Sequence, residues 1–392
     1  MIPAFLILAA TAACQPLAQA GPQPAGPNGP VPLLESRVDT GALSGVRGRD
    51  AEIAVYRGIP YAKPPTGDLR LRPPQRPAAW EGVRDASAFG PVCPQHLRSP
   101  IDLPMDEDCL TANIWTAASS AAEHRPVFVW IYGGGFNEGY GADPNFDGEA
   151  LARKGLVVIP YNYRLGPLGF LSTPELSAES GDGSSGNYGL LDSIALLKWV
   201  KRNIAAFGGD PDNVTIAGQS AGAGSVQFLS LSPISQGLFR HAISQSQVRD
   251  PGDPALRYLA TSYRHRDTAL EQGAAYASAH GASSPAQLRQ LDWRKLMEGS
   301  TAMDMSIDSG SWAKPPLFRP VQDGVVIPTS VSYALSSGPL PDITYVAGNN
   351  RDESGAVPET SFAKRRSEGQ QPRAGLPPTQ LTLTDYRAWA ER

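Results

Sequence analysis

The sequence predicts an α/β domain with a mainly parallel central sheet and helices on both faces. Short apolar, β-rich runs recur along the chain without alternating with polar residues, and amphipathic segments separate them. Strands that are buried on both faces are continuous apolar runs, and helices between such strands form parallel connections. The 40 glycines and 37 prolines are spread along the chain, which excludes a coiled coil or a helical bundle.

The individual elements follow from these runs. Each predicted strand is an apolar or β-branched run, and the strands lie at 127–132, 156–161, 213–217, 241–244 and 343–347. A helix is predicted over 188–206, because apolar side chains recur there at helical spacing on one face: Leu190, Ile194, Leu197, Val200 and Ile204. The segment from about 250 to 311 is more polar and has no clear strand. We interpret it as a helical excursion above the sheet, a placement that commonly shapes a substrate pocket.

Length and charge limit the class of protein. The chain has 392 residues, of which 41% are hydrophobic and 18% are charged, as is typical of a globular protein with a sizeable core. Its 34 lysines and arginines are outnumbered by 38 aspartates and glutamates, for a net charge of -4. A nucleic-acid binder needs a basic excess to neutralise phosphates, so we expect no nucleic-acid partner.

The start of the chain predicts an export signal. Residues 2–13 form an apolar run that is too short to span a bilayer and typical of a signal-peptide core. A small-x-small cleavage site ends at Ala20, so we expect a signal peptide over 1–20. The sequence also permits a lipoprotein signal over 1–13 with a lipid anchor at Cys14; the alternative is that Cys14 is discarded with the signal. Either signal predicts an extracytoplasmic protein, secreted or periplasmic, without a transmembrane span.

The mature chain divides into a linker and one large domain. Residues 21–35 are rich in proline and glycine and are interpreted as a linker outside the fold. Residues 36–392 then form the α/β domain. With Cys14 in the signal region, Cys93 and Cys109 remain, and an oxidising compartment favours one disulfide between them. The alternative is a pair of unrelated buried thiols.

One serine lies in a sequence context that predicts a nucleophile. Gly218-Gln219-Ser220-Ala221-Gly222 fits the pattern G-x-S-x-G, directly after a predicted strand and before a predicted helix. The flanking glycines permit a strained turn that exposes the Ser220 hydroxyl, and the amino end of the helix supplies free N–H groups. The alternative is an ordinary turn serine.

Three consecutive glycines predict the backbone N–H donors that would bind an oxyanion beside this serine. Gly133-Gly134-Gly135 ends the strand predicted at 127–132. A tetrahedral oxyanion needs two or three N–H groups that point at one spot, and glycines let the backbone approach closely enough. The candidate oxyanion donors are the N–H groups of Gly134, Gly135 and Ala221, and the alternative is a flexible turn.

Four signatures resemble those of the type-B carboxylesterase/lipase family, the cholinesterase-like α/β-hydrolases. They lie at 58–70, 107–114, 207–222 and 348–353. The resemblance implies an α/β-hydrolase fold, the disulfide between Cys93 and Cys109, and hydrolysis of small carboxylic esters by an acyl-enzyme mechanism. It also implies that Glu353 is the acid of the catalytic triad.

Two departures from the family pattern affect the expected activity. Gln219 stands where many members carry glutamate, which favours neutral over cationic esters. The family order is nucleophile, acid, then histidine, yet every histidine of this chain precedes Glu353: His96, His124, His241, His265 and His280. We interpret His124 and His241 as structural or surface residues, and His265 and His280 as the residual candidates for a base.

The missing base leads to two expectations. We expect a fold that is incomplete at its C-terminus, because the family base lies beyond the acid and no histidine occurs among the 39 residues after Glu353. The activity of this chain alone is therefore doubtful. The rival hypothesis is a non-catalytic binding protein, or an inactive truncated copy, on the same scaffold.

The sequence implies no cofactor and no metal. His and Cys show no metal-ligand spacing. The run from Gly181 to Gly186 spells G-x-G-x-x-G, but no strand precedes it, so a dinucleotide site is not expected.

Overall fold

The structure is a computed structural model that describes residues 32–96, 102–247, 263–307, 314–330, 333–334 and 342–349. The predicted export signal, the first part of the predicted linker and Glu353 lie outside these residues.

The described residues contain the following elements, numbered in chain order. The strands are β1 (Glu35–Val38), β2 (Gly41–Ser44), β3 (Val46–Arg47), β4 (Ala54–Pro60), β5 (Val83–Asp85), β6 (Thr111–Thr116), β7 (Arg125–Ile131), β8 (Val157–Pro160), β9 (Gly209–Gln219), β10 (His241–Gln245), β11 (Arg264–His265), β12 (Val321–Gln322) and β13 (Thr344–Gly348). The helices are α1 (Glu149–Ala152), α2 (Gly166–Phe170), α3 (Pro174–Glu179), α4 (Tyr188–Asn203), α5 (Ala221–Leu231), α6 (Arg266–Ala279), α7 (Pro285–Gln290) and α8 (Trp293–Leu296).

A mixed sheet forms the centre of the fold, with eight strands in the described part of the chain. Their order is β13-β10-β9-β7-β8-β6-β4-β3. The strands from β13 to β8 are parallel to one another. These five strands are the ones predicted from apolar runs, so the expected mainly parallel sheet is confirmed. Their carboxyl ends meet at one edge, where binding sites of open α/β sheets lie.

The antiparallel part of the sheet was not predicted as strands. β6 pairs antiparallel with β4 and β8, and all six of its residues are buried although three of them are polar. Asn113 of β6 accepts a hydrogen bond from the Gly58 N–H and donates one to the Gly141 carbonyl oxygen. Because such polar side chains are satisfied by backbone groups, they can be buried, and the strand lacks a continuous apolar run.

Helices cover both faces of the sheet. Consecutive residues of a strand point to opposite faces, and Val158 and Ile159 of β8 lie in two different apolar clusters. The larger cluster contains buried side chains of α4 and α5, among them Trp199 and Val226. The smaller cluster contains Ala152 of α1. The sheet is therefore buried on both sides at β8, as continuous apolar strands require, whereas the edge strand β13 is mostly exposed among the described residues.

Two segment boundaries differ from those predicted. The Leu33 N–H donates to the Ala118 carbonyl oxygen, and its own carbonyl oxygen accepts from the Tyr56 hydroxyl. The last residues of the predicted linker over 21–35 thus belong to the fold. Residues 263–307 of the predicted excursion contain α6, α7 and α8, but they also contain β11, which pairs with β12. That two-residue strand is too short to give a sequence signal.

A buried ion pair joins the loop after β8 to α4. Arg164 donates from Nε and Nη2 to the two carboxylate oxygens of Asp192, at 2.8 and 2.7 Å, and its backbone N–H donates to Oδ2. Both side chains are buried, with 3% and 0% exposure. Burial acts to lower the pKa of Arg164, but the charge of Asp192 outweighs it and raises the pKa. The arginine therefore stays charged.

Asp192→Ala is expected to lower the free energy of unfolding by about 3–5 kcal/mol, because it leaves the guanidinium of Arg164 buried without a counter-charge. Urea denaturation measures this change. Asp212→Ala is the matched control, since Asp212 pairs with Lys201 at the surface, and its unfolding midpoint should not change measurably. Equal midpoints for both variants would contradict this role of the buried pair.

Candidate active site

Ser220 lies in a strained turn between β9 and α5. Its backbone has φ 55° and ψ -124°, a conformation that costs a non-glycine residue about 1–3 kcal/mol. The Ser220 N–H donates to the Gln245 carbonyl oxygen at 3.0 Å, and its carbonyl oxygen accepts from the Gly224 N–H at 2.9 Å. The residue is partly exposed. The strand–turn–helix predicted from the sequence is therefore present.

The two glycines that flank the turn are required by close backbone contacts. A Cβ atom on Gly222 would lie 2.0 Å from the Ile131 carbonyl oxygen. On Gly218 it would lie 2.5 Å from the carbonyl carbon of Gly222. The end of β9 and the start of α5 thus pack directly on the backbone at the end of β7. No side chain larger than hydrogen fits at either position without moving this backbone.

The glycine loop after β7 lies against Ser220. A Cβ atom on Gly133 would meet the Gln219 carbonyl oxygen at 2.7 Å and the Ser220 Cβ at 3.0 Å. Gly134 and Gly135 have φ values of 110° and 63°, which glycine adopts without strain. The sequence-predicted glycines and the predicted nucleophile therefore share one end of the sheet.

Three backbone donors in this region lack an acceptor. Among the described residues, the N–H groups of Gly134, Gly135 and Ala221 make no hydrogen bond with a protein acceptor. Ala221 is the first residue of α5, so its N–H is one of the donors that a helix cannot satisfy internally. Orphaned N–H groups beside a serine hydroxyl can stabilise negative charge on a bound oxygen.

Two buried, stacked tyrosines, Tyr132 and Tyr163, support the glycine loop. Tyr132, directly before the loop, stacks on Tyr163 with ring centroids 4.5 Å apart. The Tyr163 hydroxyl donates to the Tyr132 carbonyl oxygen at 2.9 Å. Burial raises the pKa of both tyrosines well above the ordinary value, so both stay neutral. These contacts fix the ends of β7 and β8 relative to each other.

A disulfide and a glutamine hold the far end of the loop. Cys93 and Cys109 form the predicted disulfide. Gln95 donates from Nε2 to the carbonyl oxygens of Cys93 and Gly139, and its Oε1 accepts from the Gly139 N–H at 2.8 Å. Sequence reasoning missed Gln95, because a single glutamine in a loop carries no motif. Its buried amide ties the glycine loop to the disulfide.

The strand that precedes the predicted acid lies beside β10. The Ser246 N–H, just after β10, donates to the Gly348 carbonyl oxygen at 2.7 Å. Gly348 ends β13, which is parallel to β10, so β13 ends at the same edge as Ser220. Glu353 follows five residues later and lies outside the described residues.

The structure describes all five histidines, and none makes a hydrogen bond with Ser220. His241 begins β10 opposite Thr215, so it lies toward the amino end of the strands. His124 precedes β7 and is exposed, and His96 is exposed beside Gln95.

The two histidines of the helical excursion are engaged elsewhere. A ring nitrogen of His265 contacts the Gln322 side-chain oxygen at 3.2 Å. The ring nitrogens of His280 contact the carbonyl oxygens of Tyr276 and Glu298, at 2.8 and 3.1 Å. Neither ring is positioned on Ser220, so the structure brings together the predicted nucleophile and oxyanion donors without a histidine base.

Within the described part of the chain, no group of three or more His, Cys, Asp or Glu side chains could hold a metal ion. Likewise, none of its helices has the length and apolar character to cross a bilayer.

The chain is similar to esterases in sequence. A model of the carboxylesterase family matches residues 34–375. The chain is 42% identical over 325 residues to a fumonisin B1 esterase of Sphingopyxis macrogoltabida, covering 82% of this chain and 56% of the relative. It is 36% identical over 313 residues to a para-nitrobenzyl esterase of Bacillus subtilis strain 168, covering 76% and 59%. The chain thus spans somewhat more than half the length of these relatives.

Solved structures agree with the sequence comparison. A PNB esterase superposes with a TM-score of 0.70 at 34% identity, covering 82% of this chain and 64% of that chain. A Geobacillus stearothermophilus carboxylesterase superposes with a TM-score of 0.71 at 33% identity, covering 91% and 75%. The fold is therefore that of the α/β-hydrolases.

Gly222→Ala is expected to lower the free energy of unfolding by about 3 kcal/mol, because its Cβ overlaps the Ile131 carbonyl oxygen and the backbone must shift. Gly224→Ala is the matched control in the same helix. Its Cβ would have neighbours only at 3.5 Å and beyond, and alanine favours the helix by up to about 1 kcal/mol. Urea unfolding of both variants tests the contact; a stable Gly222→Ala protein would show that the turn is not held by this packing.

Proposed function

The chain belongs to the carboxylesterase family, and on that premise we propose that it is the scaffold of a serine carboxylic-ester hydrolase with Ser220 as nucleophile. One observation carries the proposal: Ser220 is strained and partly exposed between the glycine loop and the first turn of α5. A fold keeps a residue in such a conformation only when its surroundings enforce it, and such strain clusters at active sites.

The proposed reaction has two acyl-transfer steps. The Ser220 Oγ bonds to the ester carbonyl carbon while its proton passes to a general base, and the carbonyl oxygen becomes an oxyanion. The N–H groups of Gly134, Gly135 and Ala221 hold that oxyanion. The alcohol leaves with the proton from the base, and water then cleaves the acyl-serine to release the acid.

We propose that this chain supplies the acid of the reaction but not the base. We propose Glu353 as the acid that orients a histidine base, because β13 delivers the chain to the edge where Ser220 lies. Neighbouring strands are about 4.8 Å apart, so β13 ends about 10 Å from β9. Five residues can span that distance. None of the five histidines makes a hydrogen bond with Ser220 in the described structure, so we propose that this chain alone does not supply the base.

We propose small neutral esters as the substrate class. Gln219 is exposed beside Ser220 and adds no charge at the position where many family members carry glutamate. A cationic alcohol group would therefore lack one attractive carboxylate there.

The rival proposal is a binding protein, or an inactive copy, on the same scaffold. The placement of the five histidines favours it, whereas the preserved strain at Ser220 and the three orphaned donors favour the hydrolase. We further propose an extracytoplasmic location, with a lipid anchor at Cys14 if the lipoprotein signal is used. The disulfide supports that location, because such bonds persist in oxidising compartments.

The 392-residue chain is expected to hydrolyse p-nitrophenyl acetate no faster than its Ser220→Ala variant. Added imidazole should act as a diffusible base and raise the wild-type rate about tenfold or more above that of Ser220→Ala in the same buffer. The matched control is Ser246→Ala, since Ser246 also has positive φ at the end of the neighbouring strand, and it should behave as wild type. Intact mass of the quenched protein detects the acetyl group.

Two outcomes of this assay would contradict the proposal. Turnover that depends on Ser220 without imidazole would reveal a base within this chain. The absence of both acetylation and a Ser220-dependent rate with imidazole would reject Ser220 as the nucleophile.

Gln219→Glu is expected to shift selectivity toward cationic esters. In the imidazole-assisted assay, the rate for acetylthiocholine relative to its neutral 3,3-dimethylbutyl analogue should rise about three- to tenfold, the effect of one charge several ångströms away at the protein surface. Gln236→Glu, at an exposed position in the turn after α5, controls for net charge. Equal shifts in both variants would contradict a local role for position 219.

A further inference from the structure

One edge of the central sheet is unprotected in the described part of the chain. β13 lies at that edge, and four of its five residues are exposed. Edge strands present unpaired N–H and C=O groups, and proteins protect them with charged residues, prolines, bulges or very short strands. The opposite edge follows this rule, because β3 has only two residues and one of them is the exposed Arg47. β13 contains neither a charged residue nor a proline.

An apolar row crosses the sheet and ends at the edge formed by β13. The row has one residue on each of β7, β9, β10 and β13, and these residues are directly opposed: Trp130, Ala217, Ile243 and Val346. Opposed residues on neighbouring strands share one face of a sheet. Trp130 and Ile243 are partly exposed, and Val346 is 55% exposed. A further strand at this edge would continue the row.

Residues 379–384 have the sequence pattern of a strand that fits this edge. Their sequence, TQLTLT, places Leu381 and Leu383 on one face and alternates them with polar residues, which indicates a half-buried strand. Pro377 and Pro378 directly precede the segment, and proline is tolerated at the start of an edge strand. The match to the carboxylesterase family model ends at residue 375, so this segment lies beyond the matched region.

We propose that residues 379–384 pair with the open edge of β13 as a further strand of the central sheet, independently of the proposed esterase function. Leu381 and Leu383 lie beside Val346 and extend the apolar row. The backbone of the segment pairs with the outward-facing N–H and C=O groups of β13. Residues 349–378 form the connection, which exceeds the dozen residues that even a parallel pairing needs.

Chemical cross-linking of the full chain tests this contact. Cys14→Ser removes the one cysteine outside the disulfide, so engineered cysteines are the only free thiols. In that background, Val346→Cys combined with Leu383→Cys should be cross-linked by bismaleimidoethane within one chain, and intact mass should show a monomer that carries one linker. Peptide mapping identifies the two joined positions.

Val83→Cys combined with Leu383→Cys is the matched control. Val83 is also an exposed valine, at 63%, but it lies on β5 in a different sheet. Its cross-linking yield should be at least about tenfold lower, because only a paired strand holds the two thiols together at high effective concentration.

Hydrogen exchange of β13 gives a second measurement. Thr382→Pro removes a backbone N–H from the middle of the segment and prevents strand pairing. The outward-facing amides of residues 343–348 should then exchange at least about tenfold faster than in wild type, since exchange reports local opening. Ser367→Pro, in the connection, is the control and should exchange as wild type does. Unchanged exchange in β9 establishes that the variants fold.

Three results would overturn the proposal. A linked product of dimer mass would show that a second copy of the chain occupies the edge. Equal yields from the Val346 and Val83 variants would show that the segment is not held at β13. Exchange in β13 that Thr382→Pro leaves unchanged would show that the segment makes no hydrogen bonds with this strand.

Discussion

The candidate site depends on a contact between backbones at the end of β7. The Ile131 carbonyl oxygen lies where the Cβ of any larger residue at position 222 would be, so α5 can begin only because Gly222 has no side chain. This contact fixes where Ser220 leaves β9, and the glycine loop that follows β7 is placed by the same strand. The proposed nucleophile and the proposed oxyanion donors are therefore positioned by the fold itself rather than by a bond between their side chains.

Further contacts keep the loop from relaxing away from the serine. Tyr132 and Tyr163 exchange hydrogen bonds beneath it, Gln95 binds both backbone groups of Gly139, and the ring of Phe136 packs edge-on against Phe170 at 5.3 Å. The side chains that make these contacts are buried, where a hydrogen bond is poorly exchanged with water and an unsatisfied polar group is costly. Such contacts would preorganise the proposed oxyanion donors before a substrate binds.

The sequence predicts those strands and turns whose residues form a recognisable pattern over a few consecutive positions. The strands from β7 to β10 and β13 are marked by apolar or β-branched runs, although the edge strand β13 is mostly exposed in the described structure, and the turn at Ser220 is marked by glycines whose Cβ atoms would overlap the backbone. β6 was not predicted, because its buried polar Asn113 interrupts the apolar run and forms its hydrogen bonds with backbone groups that are distant in sequence. The role of Gln95 was not predicted for the same reason. Its hydrogen bonds with Gly139 depend on the tertiary fold, and no motif in the neighbouring sequence indicates them.

The strain at Ser220 is maintained without a histidine. A turn of this kind costs about 1–3 kcal/mol, and here that cost is offset by packing on Ile131 and by the hydrogen bond to the Gln245 carbonyl oxygen. Both are backbone interactions within the sheet and the first turn of α5. The geometry of Ser220 and of the proposed oxyanion donors is thus thermodynamically separate from the group proposed to remove the proton. On that proposal, a base supplied from any source would meet a serine whose strained backbone conformation is already formed, which is why a diffusible imidazole is the appropriate probe of this fold.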